Sequence, residues 1–420
     1  MSMQLRILPV LAAGIATLAI AACGEAGGNA WAGTVRDSAG IEIVENPETG
    51  IWQTGTAWQL VEDLRIGTAE GEPEYQFGAI LAIEVGDDGT IYALDQQGQH
   101  IKAFDAEGQY VRTIGRGGSG LGEISASAGG LALLRGDTLI VLDQGNARFS
   151  RFQTDGAATG SFRIDFPRTG FPFRIAALET GGMVAQMRRF AVPNAPPDSK
   201  DRVLRLSSEG EPIDTLMSFN SGNTFSAAGG APRWEFFSPE PLWAVQQNGG
   251  VLFGVNAAYT IEIRDSIGSV ERIVTKPFTP IPVTEADAER IRDAVMELIR
   301  RQAGQNVPAA QLQALRGNMN FAPNYPVIAF IAAGPEQTIW VQQIRTLRDL
   351  SEEELANFNI QLDLAAPRWD VFDATGRYLG AVNMPGRIQL FAIEDDAFYG
   401  VMRDDLDVQY IVRLRLQKPS

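Results

Sequence analysis

Two stretches of this chain align without a gap at a period of 48 residues (95 to 143), and that repeat constrains the fold more than any other feature. Laid over "DTLIVLDQGNARFSRFQTDG" at 137–156, "GTIYALDQQGQHIKAFDAEG" at 89–108 puts Asp95 on Asp143, Phe104 on Phe152 and Gly108 on Gly156. Each copy reads as an apolar run rich in Ile, Val, Leu and Tyr, a turn, a second run, and a polar turn ending in Gly. That is the rhythm of consecutive antiparallel strands, with no helical period in it. Self-similarity at this spacing belongs to repeat architectures, in which each unit buries its apolar face against the next.

Looser copies keep the same punctuation: "VLRLSSEGEPIDTLMSF" from Val203, "IEIRDSIGSVERIV" from Ile261 and "WDVFDATGRYLGAV" from Trp369. A last copy from Ile388 supplies three strands and no fourth, while 58–78 resembles the fourth strand and exit loop of the first copy. The expected fold is therefore all-β, a six-bladed β-propeller closed by strands from both termini. Such closure removes the open sheet edges that invite aggregation.

The sequence resembles the NHL-type six-bladed propellers, including their bacterial lipoprotein members. The resemblance is carried by Gly89, Ile91, Tyr92, Asp95, Ile101, Phe104, Gly108 and Gly115 in the first copy. In the second it is carried by Leu139, Asp143, Asn146, Arg148, Phe152 and Gly156, with the Gly-rich connector "GRGGSGLGE" between the copies. It is strong over 58–156; beyond that only strand and turn spacing persists.

The N-terminus has one cation at Arg6, an apolar run broken by Pro9 and Gly14, then small residues up to Cys23. This is the pattern of a secretory signal, too short and interrupted for a membrane span. Residues 20–23, "IAAC", resemble the lipobox of bacterial lipoproteins, which implies cleavage before Cys23 and diacylglycerol on its thiol. Cys23 is the only cysteine, so no thiol is left for disulfides or metal binding. Gly24 stands where an Asp would favour inner-membrane retention, so the expected address is the outer membrane. The division is a signal peptide at 1–22, a flexible tether at 23–33 and a propeller at 34–420. A net charge of −16 and a pI near 4.7 exclude a nucleic-acid footprint and leave the lipid as the membrane contact.

Tight turns such as "GDDG" and "DAEG" fall on one face, and long insertions at 189–201, 221–241, 277–326 and 345–368 fall on the other. Variable loops on a rigid scaffold carry binding residues, so any site is expected on the long-loop face. The largest insertion is expected to be helical over about 284–317. Thr284 is its N-cap, Ile291, Val295, Leu298 and Ile299 form its apolar stripe, and a second short helix lies around 309–316. The expected role of this helical pair is packing over the channel mouth or blade rim rather than a lid. Ser351 and Glu354 have the spacing of a capping box.

His100, the only histidine, occupies the slot held by Arg148, Arg202 and Arg368 in other copies. The expected role is structural, a charge-assisted hydrogen bond to Asp95 like that of Arg148 to Asp143. With one His and one Cys, zinc sites built on those residues are excluded. No catalytic residue, cofactor or metal is assigned. The alternative is a calcium-type divalent ion on Asp404, Asp405 and Asp407 in "RDDLD". Arg188, Arg189, Trp234, Arg345, Arg348 and Arg403 are the candidate ligand face, through guanidinium forks and aromatic stacking. The expected function is that of a lipid-anchored binding or scaffold protein for an envelope protein, peptide or glycan. The alternative is a divalent-metal-dependent hydrolase or lactonase with its site at the channel mouth.

Overall fold

The computed structural model describes residues 30–53, 55–135, 137–165, 169–178, 181–188, 200–220, 234–303, 308–356, 358–359 and 363–419. Six four-stranded antiparallel blades surround a central channel. Blade 1 comprises Ile80–Val85, Ile91–Asp95, His100–Phe104 and Tyr110–Ile114. Blade 2 comprises Ala128–Leu134, Thr138–Asp143, Arg148–Gln153 and Ala158–Arg163. Blade 3 comprises Phe171–Ala177, Met183–Arg188, Asp201–Leu206 and Pro212–Phe219. Blade 4 comprises Pro241–Val245, Val251–Val255, Thr260–Arg264 and Val270–Thr275. Blade 5 comprises Ile328–Ala333, Ile339–Ile344, Ala365–Phe372 and Tyr378–Asn383. Blade 6 takes Ile388–Glu394, Ala397–Arg403 and Gln409–Gln417 from the C-terminus and Gln59–Ile66 from the N-terminus.

Strand periodicity explains how the ring holds together. Ile91 and Ala93 point to the apolar cluster shared with blade 6, and their neighbours Tyr92 and Leu94 point to the cluster shared with blade 2. Every blade is two-sided in this way. Six clusters each lie between consecutive blades, the sixth joining blades 6 and 1. Hairpin turns after the third strands end at Gly108, Gly156, Gly210, Gly268 and Gly376, all at φ between 78° and 100°, which L side chains rarely adopt.

The N-terminal segment does more than supply a closing strand. Thr34–Ser38 and Ile41–Glu45 form a hairpin whose second strand pairs in parallel with the outer strand of blade 4. The chain then crosses blade 5, where the Ile51 and Trp52 amides donate to the Tyr378 and Leu379 carbonyls at 3.3 and 2.7 Å. It ends as the outer strand of blade 6. One strap thus runs along the rims of three consecutive blades. Asn46 anchors it: Nδ2 donates to the carbonyls of Thr275 and Gly376, and Oδ1 accepts from Trp31 Nε1 and the Tyr378 amide. The repeat pattern did not reveal the hairpin or the crossing, because neither has a counterpart in the other copies.

The helical insertion holds α1 (Glu285–Ala303) and α2 (Ala309–Gly317), and α3 (Glu352–Ala356) lies in the blade 5 loop. Both capping predictions hold: Thr284 exchanges hydrogen bonds with Asp287, and Ser351 with Glu354. The apolar stripe is displaced from the expected one. Ala288, Ile291 and Met296 are buried and Val295 packs beside Ile291, whereas Leu298 is 45% exposed. No helix among the described residues is long and apolar enough to cross a membrane.

Candidate functional site

A cavity of about 1270 Å³ opens on the long-loop face, between the inner strands of blades 5 and 6 and the helical insertion. Its floor includes Ile328, Phe330, Gln389 and Leu390, and α1 contributes Ala294, Val295 and Leu298 from above. The displaced stripe is thus explained: α1 packs Ile291 on Leu347, Leu350 and Leu364 and turns Leu298 to the cavity. The roof is fixed by its own small core. Trp234–Phe236 pairs in parallel with Met319–Phe321, Phe236 stacks on Phe321 at 5.1 Å, and Phe237 packs on Tyr325 at 4.7 Å. Ser238 beside them is 2% exposed, lines the cavity, and its Oγ has no hydrogen-bond partner among the described residues.

Most of the proposed ligand-face arginines are consumed in holding this structure. Arg348 donates to Asp287 Oδ2 and to the Pro282 carbonyl, both at 2.7 Å, pinning the start of α1 to the blade 5 loop. Burial raises the Asp287 carboxyl, and the hydrogen bonds from Arg348 and Thr284 together with the Arg348 charge outweigh it, leaving it below its ordinary value. Arg345 ties Glu354 to the Asp363 carbonyl, and Arg188 bridges Asp201 and Glu240 while lying over the Phe173 ring. Arg403 lines the cavity but pairs with Asp407 at 2.8 Å. Trp234 is placed by its backbone in the roof strand. Arg189 and Cys23 lie outside the described residues.

The candidate metal ligands Asp404, Asp405 and Asp407 sit on the cavity rim. Asp404 organises its own hairpin: Oδ1 accepts from the Leu406 and Val408 amides, and Oδ2 from the Tyr410 hydroxyl. Asp407 faces Arg403. Among the described residues no group of three or more His, Cys, Asp and Glu side chains is gathered as an ion would require.

His100 pairs in register with Asp95, as Arg148 does with Asp143. The expected hydrogen bond forms only in blade 2, where Arg148 Nε reaches Asp143 at 3.3 Å and its other donors clamp the carbonyls of Ser119, Gly120 and Glu123. In blade 1, Asp95 is filled by the backbone amides of Gly78, Ala79 and Gly98, and His100 Nε2 is buried without a partner among the described residues. Burial pushes the imidazole below its ordinary pKa against the pull of Asp95. The imidazole is too short to reach an exit loop, and Lys102 does that work here, donating to Pro73 and Gln76.

Sequence reading missed two charged residues of the channel. Arg174, on the inner strand of blade 3, donates Nη1 to the Trp243 carbonyl at 2.7 Å and lies over the rings of Trp243 and Phe330. Glu84, on the inner strand of blade 1, has its pKa pushed up to about 8 by burial and by the charge of Glu394, against a hydrogen bond from the Leu133 backbone. Alignment of the copies carried a signal for Arg174, which stands where blades 1 and 2 have Ala82 and Gly130.

No protein-family profile and no curated protein sequence matches the chain. Solved structures do match in fold. A protein of Bacteroides fragilis described as exported aligns over 90% of this chain and 100% of its own, with a TM-score of 0.52 and 12% identity. A member of the DUF4221 family from Bacteroides vulgatus aligns over 87% and 99%, with a TM-score of 0.52 and 10% identity. At these identities the likeness is one of fold.

Proposed function

We propose that the protein is an envelope binding protein, held to the membrane by lipid on Cys23, that takes its ligand in the cavity of the long-loop face. The observation that carries the reading is the cavity itself. It has the concave, partly apolar lining of a ligand site, and Arg348, Arg345 and the Phe236–Phe321 stack prebuild its roof. The lipid anchor rests on the signal and lipobox pattern at 1–23, and the outer membrane on Gly24.

The lining narrows the ligand. Among the described residues ten carboxylate residues and three arginines border the cavity, so the rim repels polyanions and accepts a neutral or basic outer part. A peptide segment fits this better than an acidic glycan. The test is to fill the space. Ala294→Trp projects an indole from α1 into the cavity without touching the blade interfaces. Protein purified from cross-linked envelopes is expected to carry its ligand in the wild type and to lose at least tenfold of it in Ala294→Trp at an unchanged Tm. Equal recovery from both would overturn the reading.

A further inference from the structure

In five blades the inner strand carries a bulge at the same point, and the residues just past it are Ala82, Gly130, Arg174, Phe330 and Ala392. These positions form one level of the channel. Blade 4 has Leu242 at the matching register, three of the six positions bear no side chain beyond Cβ, and Arg174 is the one charged residue at that level. Phe330 also lines the cavity, and the Arg174 guanidinium lies 5.4 Å from its ring centroid. The arginine is not itself part of the cavity lining; it abuts the cavity floor through Phe330.

The arginine is held in a built cradle. Trp243, 1% exposed, is fixed by its Nε1 donating to Gln186 at 2.8 Å, and Gln186 is the strand partner of Arg174. The Trp243 carbonyl takes one guanidinium proton, and its ring lies 4.4 Å from the guanidinium carbon. No carboxylate pairs with Arg174 among the described residues, and burial lowers its pKa to about 10, which still leaves it charged at neutral pH. The residue is partly buried between the blades. An enclosed cation without a counter-charge is costly unless something pairs with it. A guanidinium has five donors in a planar fork that matches a carboxylate.

We infer that Arg174 is the anchor of a carboxylate-binding subsite in the channel beneath the cavity floor, beside Phe330. It would receive the acidic end of a ligand whose apolar body lies on Phe330 and Leu390 and whose outer part meets the acidic rim. The inference rests on the cavity being the ligand site. A free aromatic acid and the C-terminal carboxylate of a peptide both offer this chemistry.

Benzoate and N-acetylphenylalanine are the probes, with benzamide and N-acetylphenylalanine amide as uncharged counterparts, titrated into the full chain and followed by NMR. Both acids are expected to bind at least tenfold more tightly than their amides, and Arg174→Met to lose that preference at an unchanged Tm. Tighter binding of N-acetylphenylalanine than of benzoate assigns the subsite to a chain end, and the reverse assigns it to a free acid. Equal binding of acids and amides, or an unaltered preference in Arg174→Met, overturns the inference. If Arg174→Met does not fold, the arginine side-chain ¹⁵N resonances of the wild type decide. A resonance absent from Arg174→Lys that moves with benzoate supports the subsite; a static one refutes it. Loss of ligand in Ala294→Trp with no acid preference at Arg174 removes the subsite and leaves the cavity reading standing.

Discussion

Glu84 illustrates how much a channel position changes the chemistry of one residue. Its carboxyl titrates ordinarily at 4.5 but is raised to about 8 in the folded protein, so the native state holds that proton more tightly than the unfolded chain. The stability this contributes is complete below pH 4.5 and is lost as pH rises through 8. Wild-type unfolding free energy is therefore expected to fall between pH 5 and pH 8, by at most about 1.4 kcal/mol per pH unit from this group. Glu84→Gln should flatten that slope. Superimposable pH profiles for the two proteins in denaturant titrations would contradict the assignment. Glu84 did not stand out in the sequence, and Arg174 does so only when the inner strands of the copies are set in register, because depth in a channel depends on strand register and bulge position, which composition does not encode. Arg345, Arg348 and Arg403 did stand out, as cations near loop-face strand ends. They proved to be fasteners because their partners, Glu354, Asp287 and Asp407, lie within the same loop face.

Among elements, the blades were the most legible and the strap the least. Blade strands repeat, and each copy carries its own turn glycine and alternating apolar residues, so the strand pairing of 59–66 with 409–417 followed from counting strands. The hairpin at 34–45 has no such copy, and its parallel pairing with Val270–Thr275 is a tertiary event without a local signal. Its anchor gives a sharp test. Asn46 is 5% exposed and makes four hydrogen bonds to blade 4, blade 5 and Trp31. Asn46→Ala leaves buried backbone groups of Gly376 and Tyr378 unpaired and should cost roughly 2 to 4 kcal/mol. Asn46→Asp should cost at least as much, since it turns a carboxylate oxygen toward two carbonyls. Denaturant midpoints measure both; a loss under about 0.5 kcal/mol would show that the strap is ornamental to stability.

At the scale of the whole molecule, a ring closed by strands from both termini makes a rigid frame with two unequal faces. The turn face is built of glycine-ended hairpins, and the loop face carries the insertion, the cavity and the acidic rim. On the reading proposed above, ligand meets the second face. The most direct measurement places a photoreactive benzoylphenylalanine at Leu298, exposed at the cavity, or at Ile213, exposed on the outer strand of blade 3. Both variants are then irradiated in intact cells. Adducts are expected from Leu298 and not from Ile213, and their yield should fall at least tenfold when Ala294→Trp is added. Adducts from Ile213 alone, or Leu298 adducts unaffected by Ala294→Trp, would contradict the claim.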